Sequence, residues 1–160
     1  MSLFGKEVKN IDENIVYSPM NGDVIKLEEV NDPVFSQKMM GEGIAIKPKD
    51  NSIYSPVNGV VTMIFPTKHA IGITKDNDVG VILHIGIETV NLKGDGFDLK
   101  VKVGQKVKAG DLLMNIDLEK ISKKYDPTTM IVFDNLQSYK VKELVTGACL
   151  AGQPLLKLEQ

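Results

Sequence analysis

Short apolar runs rich in valine and isoleucine recur along the chain at residues 44–47, 60–65, 71–74, 79–87, 112–116, 130–133 and 155–158. Many of the intervals are about eight to twelve residues, and polar segments carrying glycine and proline separate the runs, which is the signature of an all-β sandwich or barrel. Helical periodicity is scarce. Asp117 can cap a short helix over residues 118–124, where Leu118 and Ile121 share a face, and Ser138 can open a turn reaching Leu144. Both are expected at the periphery. Within the longest run, period-two alternation sends Val81, Leu83, Ile85 and Ile87 to one face, and Ile82, His84 and Gly86 to the other. The first face reads as core.

The pattern is duplicated. Tyr17-Ser18-Pro19-Met20-Asn21-Gly22-Asp23-Val24-Ile25 returns as Tyr54-Ser55-Pro56-Val57-Asn58-Gly59-Val60-Val61-Thr62. In each copy Asn-Gly is a tight-turn signal, since both residues tolerate positive φ, so each copy reads as a hairpin corner. A looser echo links the segment 103–113 with 146–156 through Lys108-Ala109-Gly110 and Leu150-Ala151-Gly152. Two pairs of related turns imply two intertwined halves.

Composition narrows the function. The chain has 160 residues, enough for one domain, read as 15–160 behind a flexible tail at 1–14 whose apolar groups are Leu3, Phe4, Val8 and Ile11. The net charge is −2, and the basic residues are all lysine and scattered, which argues against nucleic acid as a partner. Without arginine, any bidentate guanidinium clamp must come from another molecule. The one cysteine, Cys149, has no second thiol to pair with and reads as a small buried hydrophobe. Together with the lack of a membrane span or signal peptide, this points to the cytoplasm. Met1 and the single-domain length fit a free-standing protein.

The candidate chemistry lies with the only two histidines, His69 and His84. His84 sits on the non-core face of its run beside Ile82, next to Gly86, whose missing side chain would let another molecule approach. Continuing the alternation through residues 65–71 places Phe65, Thr67, His69 and Ile71 on one face, with the Thr67 hydroxyl able to fix the tautomer of His69. If the two strands are neighbours, one imidazole supplies a nucleophilic nitrogen and the other a proton donor or acceptor. A lone strand histidine is more often structural. A zinc site would need a third ligand, such as a partner's carboxylate. Gly94-Asp95-Gly96 lacks the lysine and serine or threonine of a P-loop and reads as a turn. Lys38-Met39-Met40 does not place its lysine between methionines, as a biotin-carrying segment does.

Taken together, Asp32-Pro33-Val34-Phe35, Gly41-Glu42-Gly43-Ile44-Ala45-Ile46, Pro66-Thr67-Lys68-His69-Ala70, Leu83-His84-Ile85-Gly86-Ile87-Glu88-Thr89-Val90 and Leu92-Lys93-Gly94-Asp95-Gly96-Phe97 resemble the glucose-type IIA components of the bacterial phosphoenolpyruvate-dependent sugar phosphotransferase system. The resemblance implies an antiparallel β-sandwich, or barrel-sandwich hybrid, on a duplicated hairpin motif. It implies a phosphotransferase component with a transient covalent phosphate on His84, His69 as the second active-site histidine and Thr67 as its hydrogen-bond partner. It maps an apolar docking apron to Val34, Phe35, Phe65 and Ile82, with Gly86, and acidic flanks at Asp32 and Glu88. The implied donor is the histidine phosphocarrier protein, and the implied acceptor is a cysteine on the IIB domain of a membrane sugar permease. Regulatory partners are also implied, no cofactor is required, and the alternative reading is a regulatory module whose His69 and His84 share a zinc ion with a partner. The family's usual aspartates are replaced at Glu42 and Glu88, and its usual phenylalanine at Ile85.

Overall fold

The computed structural model describes residues 8–160. Its strands are β1 (Ile15–Tyr17), β2 (Gly22–Lys26), β3 (Gly43–Pro48), β4 (Ser52–Tyr54), β5 (Gly59–Ile64), β6 (Ala70–Thr74), β7 (Gly80–Ile85), β8 (Phe97–Leu99), β9 (Lys106–Val107), β10 (Leu112–Ile116), β11 (Thr129–Asp134), β12 (Lys140–Glu143), β13 (Gly147–Cys149) and β14 (Pro154–Glu159). The helices are α1 (Pro33–Ser36) and α2 (Leu118–Ser122), with 3₁₀ turns at Leu27–Glu29 and Thr89–Leu92. Pairing is antiparallel throughout: an eight-stranded sheet ordered β13-β2-β3-β11-β7-β6-β5-β9 and two three-stranded sheets, β1-β14-β12 and β4-β10-β8. The all-β expectation holds, as does Asp117 capping α2, where its carboxylate accepts from the Lys120 N–H.

The duplication is written into the hydrogen bonds. The Tyr17 N–H donates to the Pro56 carbonyl (2.9 Å) and the Tyr54 N–H to the Pro19 carbonyl (2.8 Å), so each copy grips the other. Each also grips the second echo in the same way: the Gly152 N–H donates to the Ser18 carbonyl (2.9 Å), and the Gly110 N–H to that of Ser55 (2.8 Å). The Asn21 side-chain oxygen accepts from the Ala151 N–H (2.8 Å), and that of Asn58 from the Ala109 N–H (2.9 Å). These matched pins explain why the two echoes recur together.

The expected Asn-Gly hairpin corners are not what forms. None of Asn21, Gly22, Asn58 or Gly59 has positive φ, and the two glycines open β2 and β5. A Cβ at Gly22 would run into the Lys47 carbonyl, and one at Gly59 into that of Thr74, so glycine is required for close strand approach. The positive φ values fall in the second echo instead, at Gly104, Gly110, Gly147 and Gly152. Residues 138–144 also differ from expectation, because Lys140–Glu143 pair with β14 as a strand.

The main core fills the inner face of the large sheet with Val81, Leu83 and Ile85 of β7 and Ile131 and Phe133 of β11, packed against residues such as Leu113 and Leu155 of the small sheets. On the outer face, residues 27–42 fold back as a 3₁₀ turn and α1. They enclose a second cluster of Leu27, Val30, Phe35, Ala45, Met130 and Val132. Hence β11 is buried on both faces. The β7 alternation stops at Ile85, and Ile87 packs against this outer cluster rather than the main core as expected. Of the expected tail, residues 1–7 lie outside those described. Residues 12–14 are tied to the body: the buried Lys75 ammonium donates to the Glu13 carbonyl (2.7 Å), and the Leu158 N–H to that of Asn14 (2.7 Å). No helix among the described residues is long and apolar enough to cross a membrane.

Candidate functional site

His84 projects from the outer face of β7, with Ala70 of β6 opposite it on one side and Met130 of β11 on the other. Its Nδ1 lies 2.9 Å from the Gly86 carbonyl oxygen. A carbonyl can only accept, so Nδ1 carries the proton and Nε2 holds the lone pair. The Phe35 ring lies against His84 with centroids 4.9 Å apart, and the His69 ring meets it edge-on, also at 4.9 Å.

His69 does not belong to a strand. The Phe65 N–H donates to the Ala70 carbonyl (3.1 Å) and the Lys68 N–H to the Phe65 carbonyl (2.8 Å), closing residues 65–70 into a loop with Lys68 in the left-handed region at φ 64. The expected alternation over 65–71 therefore fails: Ile71 points into the main core, while His69 meets His84 on the outer face and Thr67 bonds to His69. The loop still delivers the expected neighbours. Thr67 Oγ1 is 2.8 Å from His69 Nδ1, and the Phe65 ring packs on His69 at 5.2 Å in an edge-to-face contact.

Burial above all, and then the nearby His69, hold the pKa of His84 down to about 4, against the upward pull of the Gly86 hydrogen bond and Asp32. Burial also lowers that of His69. Both rings are neutral at pH 7. Neither Nε2 has a hydrogen-bond partner among the described residues; His84 is half-buried and His69 almost fully buried. The arrangement offers a neutral nucleophilic nitrogen in an apolar hollow.

The expected rim divides. Val34 (40% exposed) and Phe65 (38%) lie on the surface, whereas Phe35 (5%) is a wall of the hollow. Ile82 is half-buried and packs with the outer cluster. Asp32 caps α1 through the Val34 N–H (2.9 Å) and, with exposed Glu88, borders an open cleft of about 530 Å³ that also includes Val34, Ile87 and Asp126. Gly86 is not an opening for a visitor: it is buried at φ 81, and the Thr89 methyl fills the space a side chain would take.

Comparison with known proteins decides the family. The family model for "phosphoenolpyruvate-dependent sugar phosphotransferase system, EIIA 1" matches residues 14–139. The chain belongs to this EIIA family. It is 43% identical over 157 residues to the PTS system glucose-specific EIIA component of Buchnera aphidicola, covering 98% of this chain and 97% of that protein. It is 45% identical over 148 residues to the protein of the same name from Halalkalibacterium halodurans, covering 88% and 86%. Among solved structures, the glucose permease IIA of Mycoplasma capricolum superposes with a TM-score of 0.82 at 37% identity, covering 89% of this chain and 93% of that one. The resemblance read from the histidine segments is thus confirmed.

In this EIIA chain the described residues hold no group of three or more His, Cys, Asp or Glu able to bind a metal, so a zinc ion on His69 and His84 would need a partner's ligand. Cys149 is buried at the end of β13, and burial raises its thiol pKa. Sequence reasoning weighed Met39 and Met40 only against a biotin-carrying segment and gave Val90 no role of its own, yet all three are exposed apolar groups; the Met39 N–H bonds to the Val34 carbonyl, which ties it to α1. It also passed over Thr89, fully buried beside Gly86. Their signal was present in the quoted segment Glu88-Thr89-Val90, but nothing local separates a buried threonine from an exposed one.

Proposed function

We propose that this EIIA chain is a cytoplasmic phosphoryl carrier. His84 accepts phosphate from the histidine phosphocarrier protein and passes it to a cysteine on the IIB domain of a membrane sugar permease. Glucose is the sugar suggested by the names of the two relatives. What carries the reading is the fixed tautomer of His84: Nδ1–H is held by the Gly86 carbonyl and Nε2 is free. In the first step the Nε2 lone pair attacks phosphorus, and the donor's phosphorus–nitrogen bond breaks as the new one forms. The Nδ1 proton stays in place. In the second step a IIB thiolate attacks phosphorus, and the bonding pair returns to Nε2, so the carrier needs no general base. The apolar walls of Phe35 and Phe65 disfavour the attack of water that would waste the intermediate.

Thr67 donates its hydroxyl proton to His69 Nδ1 in this reading, leaving His69 Nε2–H to face a phosphoryl oxygen. Without arginine in the chain, the remaining positive charge comes from the docked partner. Val34 and Phe65 are the apolar contacts for both partners, since one phosphoryl site must serve donor and acceptor in turn. The test is labelling from phosphoenolpyruvate through the donor proteins, followed by transfer to purified IIB domains. Acid-labile label is expected on the native chain and none on His84→Gln, while His69→Gln still accepts phosphate but passes it on slowly. Equal labelling of His84→Gln would refute the assignment.

A further inference from the structure

We infer that Thr89 is a positioning residue for His84, holding the corner whose carbonyl fixes the ring; the inference rests on the phosphoryl-carrier reading above. Immediately after β7 the backbone turns through Gly86 (φ 81) and Glu88 (φ 60), both left-handed. The Ile87 N–H donates to the Asp126 carbonyl (2.9 Å), and the Gly86 N–H to that of Thr128 (3.1 Å). In a trans peptide C=O and N–H point in opposite directions, so pinning the Ile87 N–H toward residue 126 aims the Gly86 carbonyl the other way, at His84 Nδ1. Asp126 is itself set by accepting from the Thr128 N–H (2.9 Å) and hydroxyl (2.6 Å).

Thr89 closes this corner from the other side. It is fully buried, its hydroxyl donates to the Ile85 carbonyl, and its methyl occupies the space over the Gly86 Cα where a side chain would stand. One residue thus ties down the peptide before Gly86 and blocks the glycine from swinging its carbonyl away. A left-handed glycine without such a stop has many backbone states available. The side chain makes no hydrogen bond to His84, so its effect is on the tautomer and aim of the ring.

The test compares Thr89→Ala, which removes hydroxyl and methyl, Thr89→Val, which keeps the shape without the hydroxyl, and Thr89→Ser, which keeps the hydroxyl alone. Each full-length chain is examined by ¹⁵N NMR of the His84 ring without any donor protein, and then by the rate of phosphate acceptance. The native chain is expected to show one ring form, with the proton on Nδ1. Thr89→Ala is expected to show a second tautomer and an acceptance rate lower by about tenfold, the scale of one lost hydrogen bond. Thr89→Ser should recover part of both. Should Thr89→Ala not fold, Thr89→Val carries the comparison, with the second tautomer again expected. A folded variant lacking the hydroxyl that keeps the native ring spectrum and rate, whatever its melting temperature, overturns the inference. Because the ring spectrum needs no donor, failure of the native chain to accept phosphate would instead count against the carrier reading.

Discussion

Acidification should unfold this protein partly through His84. The ring's ordinary pKa is about 6.5 in an unfolded chain, and burial holds it at about 4 in the folded one. Between those two values the unfolded state binds more protons, so stability is fully present above about pH 6.5 and falls as pH drops toward 4. At about 1.4 kcal/mol per pH unit, the loss attributable to this one ring approaches about 3 kcal/mol. Carboxylates and His69 also titrate in acid, so the measurement is a difference: urea unfolding of native and His84→Gln chains from pH 8 to pH 4, alongside an NMR titration of the ring. The native chain should lose more stability than the variant, with the gap opening below about pH 6.5. Replacing His69 by glutamine should raise the His84 midpoint only part-way, because burial is the larger cause and the His69 charge the smaller. A native midpoint near 6.5, or parallel stability curves, would refute the claim that the hollow keeps this imidazole neutral.

Two further outcomes follow from the packing. Phe35→Ala removes a buried wall that touches the His84 ring, so it should cost about 3–5 kcal/mol in denaturant unfolding and move the His84 midpoint upward as water enters. Asn21→Ala and Asn58→Ala each remove one matched pin of the duplicated motif and should each cost about 1 kcal/mol by urea unfolding, with the two losses alike.

Much of the fold was legible because its strongest elements obey local rules. β10 matches its apolar run, and in β7 the alternation of Val81, Leu83 and Ile85 against Ile82 and His84 reads as burial on one face. β12 was not legible: Lys140-Val141-Lys142-Glu143 has no apolar alternation and becomes a strand only because β14 offers it an edge. The Asn-Gly pairs misled for a related reason. Their composition is that of a turn, but the tertiary demand at Gly22 and Gly59 is for room beside a neighbouring carbonyl. At the site, the two histidines were identifiable by their rarity and by the segments around them. That Phe35 lies beneath the surface and Val34 on it was not, since this depends on how residues 27–42 drape over the sheet.

That drape explains where the site sits. The duplicated halves place equivalent strands at mirrored positions in the large sheet, with β2 leading to β3 and β5 leading to β6. The connections differ in length: residues 27–42 follow β2, whereas residues 65–69 alone follow β5. The long connection covers the outer face of β3 and β11 and brings Phe35 to His84; the short one leaves the face over β5 and β6 without an equivalent cover and brings His69 from the opposite side. β7 lies along the seam. A half-buried histidine on its outer face is therefore walled by apolar side chains from one connection and met by a second imidazole from the other, with no hydrogen-bond partner at Nε2 among the described residues. Had both connections been long, the ring would be sealed; had both been short, it would be hydrated and its pKa ordinary. The chemistry of His84 thus arises from the inequality between two otherwise matched halves.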